Sequence, residues 1–345
     1  MKCPVCGQDC IQSSDDLLKT SAHRFDACQS CHGLSRNKQI PPEPDLPPPP
    51  CPFCGKRHID DVFFHIWLIL TEEKVIPPDA PLTSAGVPHL HPFMVLRSPP
   101  YLPEKSMILL THAVNRATAD RLMEEVPELR GIVCDRHIIP GLSEGICSPV
   151  YHTHECIIGC DLHATIFSSP SGNIVVYQRS STMHIEMPRP FNPKLLSLSH
   201  MIDHKNPALV IDGCCGVGTL GIAAGLAGMP HIILNDRWYA AAYWSAVNIE
   251  VNRRPLGLDE CDWSTDWDNL SAKKIRRCPI EILQASGENL RISVLHGDFR
   301  CLPKKLSDLS ASLCIFDPFE KNDHKKLRKI MNEWEQETGG QIFIP

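Results

Sequence analysis

Short apolar runs that end in an acidic residue recur through the C-terminal half of the chain. They are "LVID", "HIILND", "RISVLHGD" and "LCIFD", and alanine-rich or helical stretches separate them. A short apolar run bounded by turn residues is typical of a strand that is buried on both faces, as in a parallel sheet. Strands that alternate with helices therefore predict an α/β fold for this half.

The pattern between residues 61 and 190 mixes helix and strand signals. The run "FFHIWLIL" is a buried strand or a buried helix, and the helical spacing of "RATADRLMEEVPELRG" ends at Pro127. In "ATIFSSPSGNIVVYQRS", two β-rich runs flank the turn residues Ser-Pro-Ser-Gly-Asn, which predicts a hairpin. We expect an α+β domain here.

Proline marks the clearest boundary in the chain. The segment "PPEPDLPPPP" holds seven prolines, which favour an extended conformation and exclude a helix or a central strand. A second boundary is expected near residues 188–196. The predicted units are a zinc ribbon at 1–40, a proline-rich linker at 41–50, an α+β middle domain at 51–190 that opens with a second Cys-x-x-Cys knuckle, and an α/β domain at 191–345.

Composition adds limits on location and partners. The 345 residues are 43% hydrophobic, and 34 basic against 40 acidic residues give a net charge of −6. This balance lacks the basic excess of proteins held to nucleic acid mainly through phosphates. No run reaches the roughly 18 apolar residues that a membrane helix needs, and "MKCPVCG" has no apolar signal region. We expect a soluble, cytoplasmic protein that does not bind membranes.

Cysteines point to metal binding. The chain has 17 cysteines, and without a secretion signal those spaced as Cys-x-x-Cys are better explained as metal ligands than as disulfides. Two knuckles, Cys3 with Cys6 and Cys28 with Cys31, are expected to form one tetrahedral zinc site, since so short a module needs a metal to fold.

A third knuckle, Cys51 and Cys54, has less obvious partners. His58 or His65 could complete a site locally, and so could a distant pair. The stretch "HTHECIIGC" is rich in ligands, and Cys156 and Cys160 within it are our candidates for the second zinc site. The alternative is that these thiols and histidines are core residues.

The run "VIDGCCGVGTLG" combines a strand, a glycine-rich turn and the start of a helix. Backbone N–H groups at a helix N-terminus suit an anionic group, and small residues allow a ligand to approach closely. Asp236 ends the next strand twenty residues after Gly216, where a Rossmann-like site places an acid against ribose hydroxyls. Asp298 and Asp317 follow the third and fourth strands, so four acids are expected at the ligand-binding edge of the sheet.

These motifs, in this order, resemble the class I S-adenosylmethionine-dependent methyltransferases. "DGCCGVGTLG" is similar to their first motif in the Asp-x-x-Cys-Gly-x-Gly form common among RNA methyltransferases, and Asp236 falls at the acidic second motif. The helix that ends in Asn-Ile-x-x-Asn at 248–252, "HGDF" and "FDPF" match later motifs. The resemblance covers residues 195–345 and implies a Rossmann-like methyltransferase domain.

The resemblance implies a role for each residue of the site. The cofactor-binding set is Asp212, Gly213, Cys214, Gly216, Gly218, Asp236 and Asp298. In it, Asp236 would hold the ribose, Asp298 the adenine amine and Asp212 the amino group of the methionine moiety. The catalytic set is Asp317, Pro318 and Phe319, although "DPFEK" lacks the second proline usual in the fourth motif. Asp317 would orient the acceptor for direct in-line methyl transfer.

The expected function is thus methyl transfer to RNA, either tRNA or rRNA, with S-adenosylmethionine and zinc as cofactors. Basic patches that could contact RNA are Lys273, Lys274, Arg276 and Arg277, and Lys325, Lys326, Arg328 and Lys329. A protein side chain as acceptor, or a non-catalytic zinc-ribbon adaptor, are the alternatives. A nicotinamide enzyme fits the glycine spacing poorly. Only 28 residues follow Asp317, so the usual closing hairpin is absent or supplied from elsewhere.

Overall fold

The computed structural model describes residues 1–33, 35–43, 45–112, 114–142, 150–306, 309–310, 312–318 and 324–345. The helices are α1 Ser14–Ser21, α2 Ile59–Glu72, α3 Arg116–Glu125, α4 Pro193–Lys205, α5 Thr219–Leu226, α6 Tyr239–Val251, α7 Trp267–Ser271 and α8 His324–Thr338. The strands are β1 Arg57–His58, β2 Val87–Leu90, β3 Tyr101–Leu102, β4 Met107–Thr111, β5 Leu129–Cys134, β6 Glu155–Gly159, β7 Leu162–Ser169, β8 Gly172–Arg179, β9 Leu209–Asp212, β10 His231–Asp236, β11 Glu260–Trp263, β12 Ile280–Ser286, β13 Arg291–His296, β14 Ser312–Ile315 and β15 Gln341–Phe343.

The C-terminal half folds around a seven-stranded sheet with the order β11-β12-β13-β10-β9-β14-β15. Strands β13, β10, β9, β14 and β15 are parallel to one another. All four residues of β9 and of β14 are buried, as expected of strands covered on both faces. The four strands predicted from apolar runs are therefore neighbours, and the Rossmann-like α/β prediction is confirmed by this strand order.

An antiparallel pair, β11 and β12, extends this sheet beyond β13. It lies in the chain between the second and third predicted strands, where the sequence analysis had identified no strand. Strand β15 pairs with β14 at the opposite edge. The added antiparallel pair thus widens the sheet at the β13 edge, away from the last strand of the chain.

The middle region has its own four-stranded sheet, ordered β2-β4-β5-β6. Helices α2 and α3 share a buried core with it. The run "FFHIWLIL" lies within helix α2. Asp60 and Asp61, in the first turn of α2, interact favourably with the helix dipole at this N-terminus. The mixed α+β pattern predicted here is confirmed.

The hairpin β7–β8 is not part of that middle sheet but packs on α6. The side-chain amide of Asn248 accepts a hydrogen bond from the Tyr177 N–H at 2.6 Å and donates one to the Tyr177 carbonyl at 3.0 Å. Asn252 pairs with Val175 in the same way, at 3.2 and 2.6 Å. Four residues of helix rise about 6 Å and two residues of strand about 6.6 Å. The Asn-Ile-x-x-Asn spacing therefore matches alternate residues of β8.

Residues near the N-terminus pack on the same hairpin. Ile11 and Leu17 belong to the buried core that contains β8 and α6. The backbone N–H of Gln12 donates to the Tyr177 hydroxyl at 3.0 Å. The start of the chain is therefore attached to the C-terminal half through the hairpin.

Within the described ranges, no helix is both long enough and apolar enough to cross a membrane.

We predict that replacing either buried asparagine destabilises the protein. Asn248→Ala or Asn252→Ala should lower the free energy of unfolding by about 1–3 kcal/mol, because backbone groups of β8 would lose their partners. Urea denaturation measures this. Asn173→Ala, at an exposed position of the same strand, is the control and should stay within about 0.5 kcal/mol of the parent. Equal, small effects at all three positions would contradict the docking role.

Candidate active site and cysteine clusters

A cavity of about 300 Å³ lies at the carboxyl ends of the parallel strands. Most of the predicted site residues line it: Asp212, Gly213, Cys214, Gly216, Asp236, Asp298, Asp317 and Pro318. Gly218 is not in this lining, although its neighbours Val217 and Thr219 are, and Phe319 lies outside the described residues. Two regions that were not predicted to contribute also line the cavity, namely the segment before and at the start of α4 and the β7–β8 hairpin, through Met183, His184, Glu186, Asn192, Lys194, Phe167 and Gln178.

The glycine-rich turn adopts a backbone conformation that requires glycine. Gly216 has φ 53° and Gly218 has φ 86°, both left-handed, and Gly218 is the N-cap of α5. A Cβ atom at Gly218 would lie 3.2 Å from the Ser245 side chain on α6. No described side chain caps the start of α5, and Thr219 and Leu220 in its first turn line the cavity. This end of the helix therefore suits an anionic group.

Asp236 is held in place by the backbone around it. Its carboxylate accepts hydrogen bonds from the Gly216 N–H at 3.0 Å and the Trp238 N–H at 2.8 Å. Burial raises the pKa of Asp236 to about 6, against the effect of these hydrogen bonds. The acid is thus fixed beside the glycine turn, with a charge that depends on pH near neutrality.

Asn235 is a positioning residue that sequence reasoning missed. Its side-chain amide is buried and donates to the Gly213 carbonyl at 3.1 Å and to the Gly297 carbonyl at 2.9 Å. It thereby ties the loops after β9 and β13 to β10. A polar residue inside the apolar run "HIILND" was the available signal.

Asp212 is the most deeply buried acid of the site. It is 1% exposed, and neither carboxylate oxygen has a hydrogen-bond partner among the described residues. Burial, followed by the charges of Asp317 and Asp236, raises the pKa of Asp212 well above its ordinary value. A carboxyl group in this position favours a ligand that donates hydrogen bonds or carries positive charge.

Asp317 forms an ion pair with Lys194, a residue that sequence reasoning missed. The Lys194 Nζ lies 2.6 Å from Asp317 Oδ2 and 3.9 Å from Glu186 Oε2. Burial alone would lower the pKa of Lys194, but the hydrogen bond and charge of Asp317 raise it. Lys194 is in the first turn of α4, far from Asp317 in sequence, so no local pattern could predict the pair.

Asp298 pairs with a neighbouring arginine. It accepts hydrogen bonds from the Arg300 backbone N–H at 3.1 Å and from its guanidinium at 2.9 and 2.5 Å. Burial would raise the pKa of Asp298, yet these contacts with Arg300 lower it. The carboxylate at the third strand end is therefore ionised.

Two aromatic rings stack at the cavity wall. The rings of Tyr151 and Trp238 lie 4.6 Å apart at 7°. The Trp238 indole N–H donates to the Thr182 carbonyl at 3.2 Å, which fixes the ring. This wall adjoins Asp236 and offers a flat surface to a planar group.

The cysteines form two clusters of four, in a grouping that differs from the prediction. One cluster joins Cys3, Cys6, Cys10 and Cys160, and the other joins Cys28, Cys31, Cys51 and Cys54. The expected pairing of the first knuckle with the second is wrong, because the N-terminal residues pack on the hairpin and carry Cys3 to the turn before β7. The second knuckle instead meets the third across the proline-rich segment.

Individual assignments change accordingly. Cys10, which the sequence analysis assigned to no site, lies in the first cluster, and so does Cys160. Cys156 joins neither cluster, because it lies within β6 with its Sγ 3.7 Å from the Ile158 carbonyl, whereas Cys160 follows the end of that strand. His58 and His65 are also outside both clusters; His58 caps α2 and His65 contacts Arg57.

Both clusters fit a structural zinc ion. The Sγ–Sγ distances are 3.8 Å for Cys3–Cys160, 3.3 Å for Cys6–Cys10, 3.7 Å for Cys28–Cys51 and 3.5 Å for Cys31–Cys54. Zn–S bonds of about 2.3 Å in a tetrahedron require separations of about 3.8 Å. The described cysteines are all free thiols. Each cluster can therefore hold one zinc ion.

Comparisons with known proteins give weak likenesses. No family model matches the chain, and no curated protein matches it. TYW2 from Pyrococcus horikoshii, solved with MeSAdo, is 12% identical over 81% of this chain and 76% of that chain, with a TM-score of 0.37.

Two further solved structures each have a TM-score of 0.33. Trm1 from Pyrococcus horikoshii, in complex with S-adenosyl-L-methionine, is 15% identical over 52% of this chain and 42% of that chain. The tRNA m1G37 methyltransferase from M. jannaschii is 14% identical over 79% of this chain and 61% of that chain. This chain spans less than two thirds of the length of these two proteins. The fold assignment therefore rests on the strand order.

We predict that each cysteine cluster binds one zinc ion and that the new grouping decides which substitutions release one. Cys10→Ser or Cys160→Ser should lower the zinc content by one equivalent relative to the parent, because a cluster with three thiolates binds zinc far more weakly. Cys156→Ser is the matched control and should keep both ions. Elemental analysis of purified protein measures this. Loss of zinc from Cys156→Ser, but not from Cys10→Ser, would overturn the grouping.

Proposed function

We propose that this chain is an S-adenosylmethionine-dependent methyltransferase that acts on RNA. The observation that carries the proposal is the meeting of a glycine-rich turn, a helix N-terminus and four strand-end acids in one cavity. That edge of an open α/β sheet is where such folds bind nucleotide ligands. The bound cofactor would supply a methyl group already activated by its sulfonium.

The cavity offers a complementary group for each part of such a cofactor. Asp236, beside the glycine turn, can accept hydrogen bonds from ribose hydroxyls. The first turn of α5 suits the methionine carboxylate, and the unpartnered Asp212 suits the adjacent ammonium group. Asp298 can accept the adenine amine, and Trp238 provides a flat neighbouring surface.

Asp317 is the group proposed to orient the acceptor. Its Oδ2 accepts a hydrogen bond from the Lys194 ammonium at 2.6 Å, which restricts its orientation. A carboxylate held in this way can accept an N–H from the acceptor and direct the lone pair towards the methyl group. Such alignment contributes most of the catalysis when the methyl donor is already activated.

A basic segment beside the cavity favours RNA as the acceptor. Lys273, Lys274 and Arg277 are exposed. The Lys274 carbonyl accepts from the Tyr239 N–H at 3.0 Å, and the Arg277 carbonyl accepts from the Asp298 N–H at 3.2 Å. These contacts place the segment against two elements of the cavity wall. Despite a net charge of −6, positive charge is thus concentrated beside the site, as phosphate binding requires.

We predict that Asp236→Ala weakens binding of S-adenosylmethionine by about 1–3 kcal/mol, because charge-assisted hydrogen bonds to the ribose are lost. Affinity of the parent protein should also fall as the pH drops through about 6, since the raised pKa of Asp236 means that the carboxylate is protonated there. Calorimetry across pH 5 to 8 measures both effects.

Asp262→Ala, at an exposed position of β11, is the control and should bind as the parent does. Titration with a nicotinamide dinucleotide runs in parallel. Binding of that dinucleotide in place of S-adenosylmethionine, or binding of neither, would contradict the proposed cofactor.

We predict that the basic segment, and not the basic face of α8, holds RNA. Combined replacement of Lys273, Lys274 and Arg277 by alanine should weaken tRNA binding and reduce the slope of log affinity against log salt by about 2 to 3. The matched control removes the same charge from α8, at Lys325, Arg328 and Lys329. Filter binding over a salt series measures this. A larger effect from the α8 variant would reverse the assignment.

Transfer of a labelled methyl group identifies the acceptor class directly. An extract from cells that lack the gene is incubated with the protein and methyl-labelled donor, then treated with nuclease or protease. Macromolecular label sensitive to nuclease supports RNA. Label that resists nuclease but not protease would contradict it.

A further inference from the structure

Three potential metal ligands lie together outside the cavity and the cysteine clusters. They are His112, Asp135 and His137. Strands β4 and β5 are parallel, and Thr111 pairs with Cys134 in their register. The Asp135 N–H donates to the Thr111 carbonyl at 2.9 Å. His112 and Asp135 therefore leave two adjacent strands at the same edge, with their backbones joined.

His137 is brought back to this edge by its backbone conformation. Its φ is 55°, in the left-handed region, and its N–H donates to Asp135 Oδ1 at 2.8 Å. The imidazole rings of His112 and His137 then stack at 4.0 Å and 22°. One ligand atom from each of the three residues lies within 4.8 Å of the others.

The second nitrogen of His112 has the kind of partner that metal-bound histidines have. His112 Nδ1 lies 3.3 Å from the Asp135 carbonyl oxygen. A metal-binding histidine usually donates its other ring N–H to a carbonyl or a carboxylate, which fixes the tautomer and leaves the remaining nitrogen unprotonated. In the tautomer in which Nδ1–H donates to this carbonyl, Nε2 of His112 is the ring nitrogen that can bind an ion.

We propose that His112, Asp135 and His137 bind one divalent transition-metal ion, at a third site distinct from both cysteine clusters. Two imidazoles and a carboxylate suit Zn²⁺, Fe²⁺ or Co²⁺, whereas Mg²⁺ and Ca²⁺ prefer oxygen ligands. Bonds of about 2.0–2.2 Å bring ligand atoms to separations of about 3.3 Å, within reach of rotation of the two exposed rings. The site does not depend on the function proposed above.

Three protein ligands leave coordination positions open at this site. The side chains of His112 and Asp135 are 49% and 23% exposed, so water or a small ligand can reach the ion. A closed structural site has four protein ligands, as the cysteine clusters do. The third site therefore resembles an exchangeable site more than a permanent structural one.

The ion would also act on the segment that leads to the cavity wall. Gly141 and Leu142, a few residues beyond His137, line the cavity. Next to Asp135, the Arg136 N–H donates to His154 Nδ1 at 3.2 Å, and the His154 N–H donates to the Ser181 carbonyl at 2.8 Å. An ion bound at His112 and His137 would therefore restrain the segment between His137 and the cavity-lining residues Gly141 and Leu142.

A rival pair of histidines supplies the matched control. His200 and His204 on α4 stack at 6.3 Å, one helical turn apart, and could bind an ion without Asp135. The experiment compares three forms of the full chain: the parent, His112→Gln with His137→Gln, and His200→Gln with His204→Gln. Each is equilibrated with a slight excess of Zn²⁺, freed of unbound ion and assayed for zinc by elemental analysis.

We expect the His112/His137 variant to bind one zinc ion fewer than the parent and the His200/His204 variant to bind the same number. The result is the difference in zinc content between the parent and each variant. Zinc in the cysteine clusters is the same in all three forms and cancels in this difference. Equal content in the parent and the His112/His137 variant overturns the proposal, as does a loss confined to the His200/His204 variant. Asp135→Asn, which alters one ligand, should reduce occupancy several-fold, and circular dichroism confirms that each variant is folded.

Discussion

The amide of Asn248 is the interaction on which the arrangement of this protein depends. It bonds both backbone groups of Tyr177 and also donates to the Val217 carbonyl at 2.9 Å, in the glycine-rich turn. One buried side chain thus joins the hairpin, helix α6 and the proposed cofactor turn. Because leaving this buried amide unpaired would cost about 1–3 kcal/mol per unsatisfied group, more than a hydrogen bond contributes net, the three elements are held in a single arrangement.

The β7–β8 hairpin also holds the N-terminal residues in place. The Tyr177 hydroxyl in the hairpin accepts a hydrogen bond from the Gln12 N–H. Cys160, two residues before the hairpin begins, belongs to the cluster that includes Cys3 and Cys10. The N-terminal residues bury few apolar side chains of their own. A cysteine cluster that fits a zinc ion and the attachment to the hairpin therefore stand in for the independent core that a separate N-terminal domain would need.

The cavity is organised by the way its acids are neutralised. Asp317 has Lys194, Asp298 has Arg300, and Asp236 has backbone N–H groups. Asp212 alone is buried without a hydrogen-bond partner among the described residues. The protein thus leaves unsatisfied the acid that lies deepest, which favours a ligand with a positively charged or hydrogen-bond-donating group at that point.

The sequence by itself determined the elements whose signals are local. Apolar runs that end in Asp212, Asp236, Asp298 and Asp317 identified four strands and their binding edge, because parallel strands present their carboxyl ends together. The positions of Gly216 and Gly218 predicted the tight turn between the first strand and its helix. Cys-x-x-Cys spacing likewise identified most of the cysteines that form the two clusters, since each knuckle is a local structure.

Only the tertiary structure decided which distant residues meet. The grouping of Cys3 with Cys160, the pairing of Lys194 with Asp317, and the docking of β8 on Asn248 and Asn252 join residues about 70 to 160 positions apart. Such contacts depend on how whole elements pack, and a local pattern carries no information about that packing. The sequence therefore showed which chemical groups were present, and the packing of the hairpin against α6 decided which of them act together.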